Sequence, residues 1–203
     1  MPSVLGTSAL AEVAGAITDF FEKLAGSDGT LWLAAFKRFL RRENPWASVL
    51  TFLHTIAVGA VEKFVAKDHF TKENKKVKFW DFGSNFTKHF LGKVEKSVSA
   101  GNIAIHRLEK ASRDPEIMTE LGSEKRVIKL AHFCQLIEAQ GQGQEGPLLV
   151  NGWANIAYIE DDCGVIWSVY AFWYAEDGWG VDAYSVENPN AWFAGRQVLS
   201  QVA

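Results

Sequence analysis

The sequence predicts an α+β protein: N-terminal helices, then a mixed segment, then a C-terminal antiparallel β-meander packed on helices. Three observations carry that expectation. Apolar residues in the first third recur at three- and four-residue spacings, the period of one helix face. Beyond Trp153, β-branched and aromatic residues run in short stretches separated by Asp- and Gly-bearing turns, which is the chemistry of strands. Between them lies a glycine- and glutamine-rich stretch over 141–147, read as a polar flexible joint. The organisation that follows is a helical part over 1–68 and an α+β domain over 69–203, with 141–147 as its internal joint.

The first helix covers 9–25, with Leu10, Val13, Ile17, Phe20, Phe21 and Leu24 on one stripe and Gly26 as its stop. Asp28-Gly29-Thr30 supplies a turn and cap. A second helix runs from Leu31 to Arg42, its stripe of Trp32, Ala35, Phe36, Phe39 and Leu40 opposed by Lys37, Arg38, Arg41 and Arg42, cations that suit the negative end of the helix dipole. Asn44-Pro45 ends it, and a third helix is expected from Pro45 or Trp46 to Lys67. Residues 75–82 read as a short strand or loop. Ser84 is the expected N-cap of a helix over 85–91 closed by Gly92. Residues 102–108 alternate as a strand, Asp114-Pro115 opens a helical turn to Leu121, 127–130 is extended, and 131–140 is a helix with Phe133, Leu136 and Ile137 inward. Strands over 156–160, 165–175 and 179–186 form the meander, and 197–201 supplies a last strand. Period-2 counting puts Trp167, Val169, Ala171 and Trp173 on one face of the middle strand and Ile166, Tyr170, Phe172 and Tyr174 on the other. Both faces are apolar, so one is buried by helices and the other is either covered as well or left as an aromatic platform.

The 203 residues are 48% hydrophobic and 22% charged with a formal net charge of −3, which rules out a disordered chain and argues against a whole-protein polyanion binder. The apolar opening lacks a basic n-region and carries Glu12, unlike a signal peptide. The longest uncharged run, 44–61, falls short of the ~20 apolar residues of a spanning helix. Cys134 and Cys163 fit no zinc or redox spacing, and two cysteines suit a reducing compartment. A cytoplasmic protein without a membrane partner is the expectation, its oligomeric state open.

The segment LEKASRDPEIMTELG, the helix before the glycine-rich stretch, and above all NGWANIAYIEDDCGVIWSVYAFWYAEDGWGVDAYSVENPNAWFAGRQVLS resemble an uncharacterised family of small proteins encoded repeatedly in genomes of candidate-phyla (Patescibacteria-type) bacteria. AAFKRFLRRENPW and HFLGKVE are similar to segments of the same proteins, so the resemblance covers most of the chain. It departs from the family pattern at Trp153, where Tyr is usual, and at Leu199 and Gln201. The resemblance implies a lineage and a cytoplasmic or phage-like context, and it implies no activity or catalytic residue.

No residue pattern supplies catalytic chemistry. His54, His69, His89, His106 and His132 form no HxxxH unit, so no metal is expected. Glu160-Asp161-Asp162 reads as a hairpin turn that needs no ion. His132 and Cys134, two apart on a helix, diverge, and no GxSxG, phosphate loop or GxGxxG is present. No cofactor is expected, and an enzyme is the least favoured class.

Charge is unevenly placed. Residues 63–98 hold nine lysines against four acids, and 151–203 one base against seven acids. Such blocks bind external partners or face each other within the fold. The favoured function is non-catalytic recognition of a protein, peptide or glycan through the C-terminal sheet, with Trp153, Tyr170, Trp173, Tyr174, Trp179, Asp182, Tyr184 and Trp192 as candidate contacts, because rigid aromatics mixed with small polar groups make recognition surfaces. The bland alternative makes those aromatics the core of the sheet. The runner-up is nucleic-acid association through Lys72, Lys75, Lys76, Lys78, Lys88 and Lys93 interleaved with aromatics. Against it, Phe82, Phe86 and Phe90 share one helical face, as a core stripe would, and Arg is absent from 63–98.

Overall fold

The computed structural model describes residues 7–41 and 48–202. The chain divides into two compact units, Met1–Ala47 and Ser48–Ala203. The first is a helical hairpin of α1 (Thr7–Ala25) and α2 (Gly29–Leu40), as the apolar stripes require. Phe20 packs on Phe36 with ring centroids 4.6 Å apart. Asp28 accepts at its carbonyl from the Leu31 and Trp32 amides, closing the first turn of α2. No residue of α2 is buried, and Ile17, Phe21, Phe39 and Leu40 are exposed. The expected stop at Asn44-Pro45 and the start of a third helix at Trp46 lie outside the described residues.

The expectation of a helix up to Lys67 is overturned. That stretch forms β1 (Leu50–Val58), β2 (Val61–Val65) and a single turn, α3 (Ala66–His69). A short uncharged run rich in β-branched residues is ambiguous by period alone, and pairing partners decide it. Here β1 pairs antiparallel with β5 (Gly101–Leu108) from Leu50↔Leu108 to Val58↔Gly101, with a bulge between Phe52 and His54. Residues 48–68 therefore belong to the second compact unit and not to the first.

The remaining elements are β3 (Phe79–Phe82), α4 (Ser84–His89), β4 (Val94–Val98), α5 (Asp114–Leu121), α6 (Leu130–Ala139), β6 (Asn155–Glu160), β7 (Ile166–Tyr174), β8 (Gly178–Ser185) and β9 (Gln197–Gln201). Gly83, not Ser84, is the N-cap of α4. β4 went unread in the sequence. It pairs antiparallel with β2 in a separate two-stranded sheet.

The main sheet is seven-stranded in the order β1-β5-β9-β6-β7-β8-β3. β6, β7 and β8 pair antiparallel in sequence order. β9 returns to sit between β5 and β6, parallel to β6, and β3 adds to the far edge parallel to β8. The whole is mixed α+β. No helix among the described residues is long and apolar enough to cross a membrane.

The first face of this sheet holds the larger core: Ile103, Ile105, Ala157, Val169, Ala171, Val181 and Leu199 meet Phe133, Leu136 and Ile137 of α6, Phe86 and Phe90 near α4, and Phe64 and Phe70. The second face is smaller: Ile156, Tyr158 and Val198 meet Ile117, Met118 and Leu121 of α5, with Trp192. The division of β7 between faces agrees with period-2 counting, Val169, Ala171 and Trp173 on the first and Ile166 and Tyr170 on the second.

The 141–147 stretch is not a flexible joint. The Gln140 side chain donates to the Gln144 and Leu148 carbonyls and accepts from the Leu148 amide at 2.7 Å, pinning the loop at both ends. Both sides of it lie in one compact unit.

Candidate functional site

Helix α5 covers only part of the sheet's second face. Toward β7, β8 and β3 the face carries a row of rings whose neighbours are in contact. Trp80 lies 6.3 Å from Phe172 and 6.1 Å from Tyr174, and Phe172 lies 5.2 Å from Tyr174 and 6.0 Å from Tyr170. Tyr170 in turn lies 5.0 Å from Tyr184, and both meet Trp192, at 5.1 and 5.7 Å. These separations are those of interacting aromatic pairs.

Backbone placement makes the row possible. Alternation on β7 projects Tyr170, Phe172 and Tyr174 to one side. Opposite Phe172, β8 has Gly180, where a Cβ would stand 2.5 Å from the Phe172 ring and 2.9 Å from Trp80 Nε1, so both rings lie directly on the strand. Asp182 sits one alternation further along β8, and a Cβ at Gly83 would stand 1.8 Å from its Cγ, so its carboxylate is lodged against the Gly83 backbone. Burial pushes the Tyr170 phenol up from its ordinary value, and the facing Tyr184 hydroxyl and Asp182 carboxylate push it further. It stays a neutral donor.

Beneath the row is a buried polar node. Asp114, at the start of α5, accepts from the Tyr158 hydroxyl and Trp192 Nε1, both at 2.8 Å, and from Ser168 Oγ at 3.3 Å. Trp192 is thereby fixed as the floor of the site. Beyond it, the Arg196 guanidinium lies 5.8 Å from the Trp192 ring, 5.7 Å from Trp153 and 5.1 Å from Phe193, within cation–π range of all three. Trp153 itself lies over Gly195, whose φ of +90° and close approach leave no room for a side chain.

The structure divides the eight candidate contacts. Trp153, Tyr174 and Tyr184 are exposed at 45%, 46% and 38%, and Tyr170 and Asp182 are half-buried on the same face. Trp192 is buried at its base. Trp173 and Trp179 are core residues of the opposite face, 7% and 0% exposed, in edge contact with each other, and Trp179 Nε1 donates to the Gln140 carbonyl at 2.8 Å. Odd positions of β7 and β8 point to the α6 side, which is why these two leave the group.

Sequence reasoning missed Trp80, Phe172, Phe193 and Arg196. Phe172 was legible, since it shares the alternation of Tyr170 and Tyr174. Trp80 was not, because its place depends on the parallel pairing of β3 with β8.

The basic segment is partly engaged within the fold. Lys72, Lys75, Lys76 and Lys88 are exposed, Lys78 Nζ donates to the Glu176 carbonyl at 2.6 Å, and Lys93 pairs with Asp162 at 3.5 Å. His89 lies 3.5 Å from Asp161. Basic and acidic blocks thus meet within the fold at these points. Phe64, Phe70, Phe79, Phe86 and Phe90 are buried in the core. Lys93 also lines a cleft of about 510 Å³ with Lys96, Lys129, His132 and Glu95, whose carboxylate accepts from the Leu130 and Ala131 amides at the start of α6.

The acidic turn is a hairpin closure: Asp161 accepts from the Cys163 and Val165 amides and from Trp167 Nε1. Burial alone would raise its carboxyl, and those hydrogen bonds outweigh it and hold the group below its ordinary range. Comparison with known proteins finds no similar protein-family model, curated protein or solved structure.

Proposed function

We propose that this chain is a non-catalytic recognition module, cytoplasmic in location, that takes a protein, peptide or glycan ligand on the aromatic face formed by β7, β8, β3 and the segment around Trp192. The carrying observation is the continuous row from Trp80 through Phe172, Tyr174, Tyr170 and Tyr184, partly open to solvent, with the Asp182 carboxylate set among the rings. A contiguous aromatic patch on a folded surface marks an interaction site. Among the three ligand classes, a glycan suits the face best: sugar rings stack on flat aromatic faces while tyrosine hydroxyls and a carboxylate meet their hydroxyl groups.

The test is a glycan and peptide array probed with the full chain and with the Tyr174→Ala/Tyr184→Ala double variant. Retention of a saccharide by the native chain, weakened at least about 10-fold in the double variant at unchanged melting temperature, supports the reading, since each of the two aromatic contacts removed contributes about 0.5–1.5 kcal/mol. Equal binding by both proteins, or no ligand retained by either, overturns it. Trp173→Ala and Trp179→Ala are expected to lower stability by about 3–5 kcal/mol through cavity formation, and they do not report on the face.

One observation favours a second reading, association with a polyanion: the Lys93, Lys96 and Lys129 side of the cleft. Salt-dependent retention on DNA or heparin that weakens in Lys96→Ala/Lys129→Ala supports it. No retention at low salt removes it.

A further inference from the structure

We propose that His69, Cys134 and Glu138 form a binding site for a zinc ion, with a fourth coordination position open to water.

The three donor atoms lie within 4.8 Å of one another. His69 Nδ1 stands 2.8 Å from Glu138 Oε1, and Cys134 Sγ stands 3.8 Å from the same oxygen. Tetrahedral N, S and O donors around zinc are separated by about 3.3–3.6 Å, so occupation requires shifts of about 1 Å. One nitrogen, one thiol and one carboxylate form a borderline-soft set that suits zinc and does not suit magnesium or calcium, which take oxygen ligands.

The scaffold presents these donors in advance. Cys134 and Glu138 are one turn apart on α6, so they share a helix face. His69 arrives from the end of α3, and its ring stacks on the buried Phe64 at 4.6 Å between centroids. Its backbone carbonyl accepts from Asn74 Nδ2 at 2.7 Å, while Asn74 Oδ1 accepts from the Lys76 and Val77 amides, which holds the loop after α3. Ring and backbone are both fixed before any ion arrives. Access is one-sided: Cys134 is buried, whereas the His69 and Glu138 side chains are 37% and 25% exposed. Three protein ligands with one open position is the pattern of a zinc that keeps a water.

On binding, the Cys134 S–H bond breaks, the thiolate pair forms the S–Zn bond and its proton passes to solvent, while the proton shared by His69 Nδ1 and Glu138 Oε1 also leaves, His69 then coordinating through Nδ1 as its Nε2–H tautomer. No oxidant or reductant is required. The site lies on the side of the sheet away from the aromatic face and does not depend on the recognition reading.

Cobalt(II) is the probe, in the Cys163→Ser chain, which removes the exposed thiol. The expected result is one cobalt per chain, with thiolate-to-metal charge-transfer absorption and tetrahedral d–d bands, both displaced by zinc. Cys134→Ser in that background loses the charge-transfer band, and His69→Gln and Glu138→Gln weaken binding. Absence of the band in Cys163→Ser, or its survival in Cys134→Ser, overturns the proposal and leaves a hydrogen-bonded cluster. If Cys134→Ser does not fold, His69→Gln decides: a native circular dichroism spectrum with unchanged cobalt affinity overturns the site, and lost affinity supports it.

Discussion

Asp114 shows how a single residue links the helix layer to the aromatic face. It is 1% exposed and holds three donors from β6, β7 and the segment before β9. Burial pushes its carboxyl above the ordinary value of 3.8, and the hydrogen bonds from Trp192, Tyr158 and Ser168 pull it only part of the way back. Asp114→Ala strands the Tyr158 hydroxyl and the Trp192 indole N–H, so a loss of about 2–5 kcal/mol in denaturant unfolding is expected. Asp114→Asn keeps the two oxygen-accepted bonds and lets Ser168 accept instead, and it is expected within about 1 kcal/mol of the native chain. The pH dependence has a definite sign. A raised acid favours the folded state fully below the unfolded value and loses that contribution as pH rises through the folded one. The non-ionising Asn variant should therefore gain on the native chain as pH rises from below 3.8, then hold a constant difference. Asp114 was legible in the sequence only as a helix start, because its three partners come from distant segments.

At the scale of elements, two stretches behaved against their local signals. β1 has apolar residues that serve helix or strand equally well, and its identity follows from its register with β5, eight residue pairs interrupted by one bulge. The stretch 141–147 has the composition of a linker, yet Gln140 ties it down and Gly143 packs on the core. Gly143 has φ +70°, and a Cβ there would stand 2.0 Å from the Trp173 indole. Gly143→Ala is expected to cost at least about 1–3 kcal/mol, read from the denaturation midpoint. Gly92→Ala is the control: nothing stands within 4 Å of the added carbon, and a change under about 0.5 kcal/mol is expected. The glycines were visible in the sequence. The indole that makes one of them irreplaceable was not.

At the scale of the molecule, both apolar cores are built from residues between Val49 and Leu199. A chain of residues 48–203 is accordingly expected to unfold cooperatively, measured by circular dichroism. A non-cooperative transition would contradict that. What the sequence by itself determined is local: the two amphipathic helices, the strands of the meander, the turns between them and which side chains share a face of β7. Those features follow from backbone period and from short-range turn chemistry, which act within a few residues. Only the tertiary structure decided that β1 is a strand, that β9 enters between β5 and β6, and that β3 carries Trp80 to the edge beside β8. It also decided which tryptophans form core and which line a surface, and it brought His69 to Cys134 and Glu138. The physical reason is common to all of these. Strand partnership and helix cover are satisfied by segments far apart in the chain, and burial of a face depends on what is packed against it, which no local period encodes.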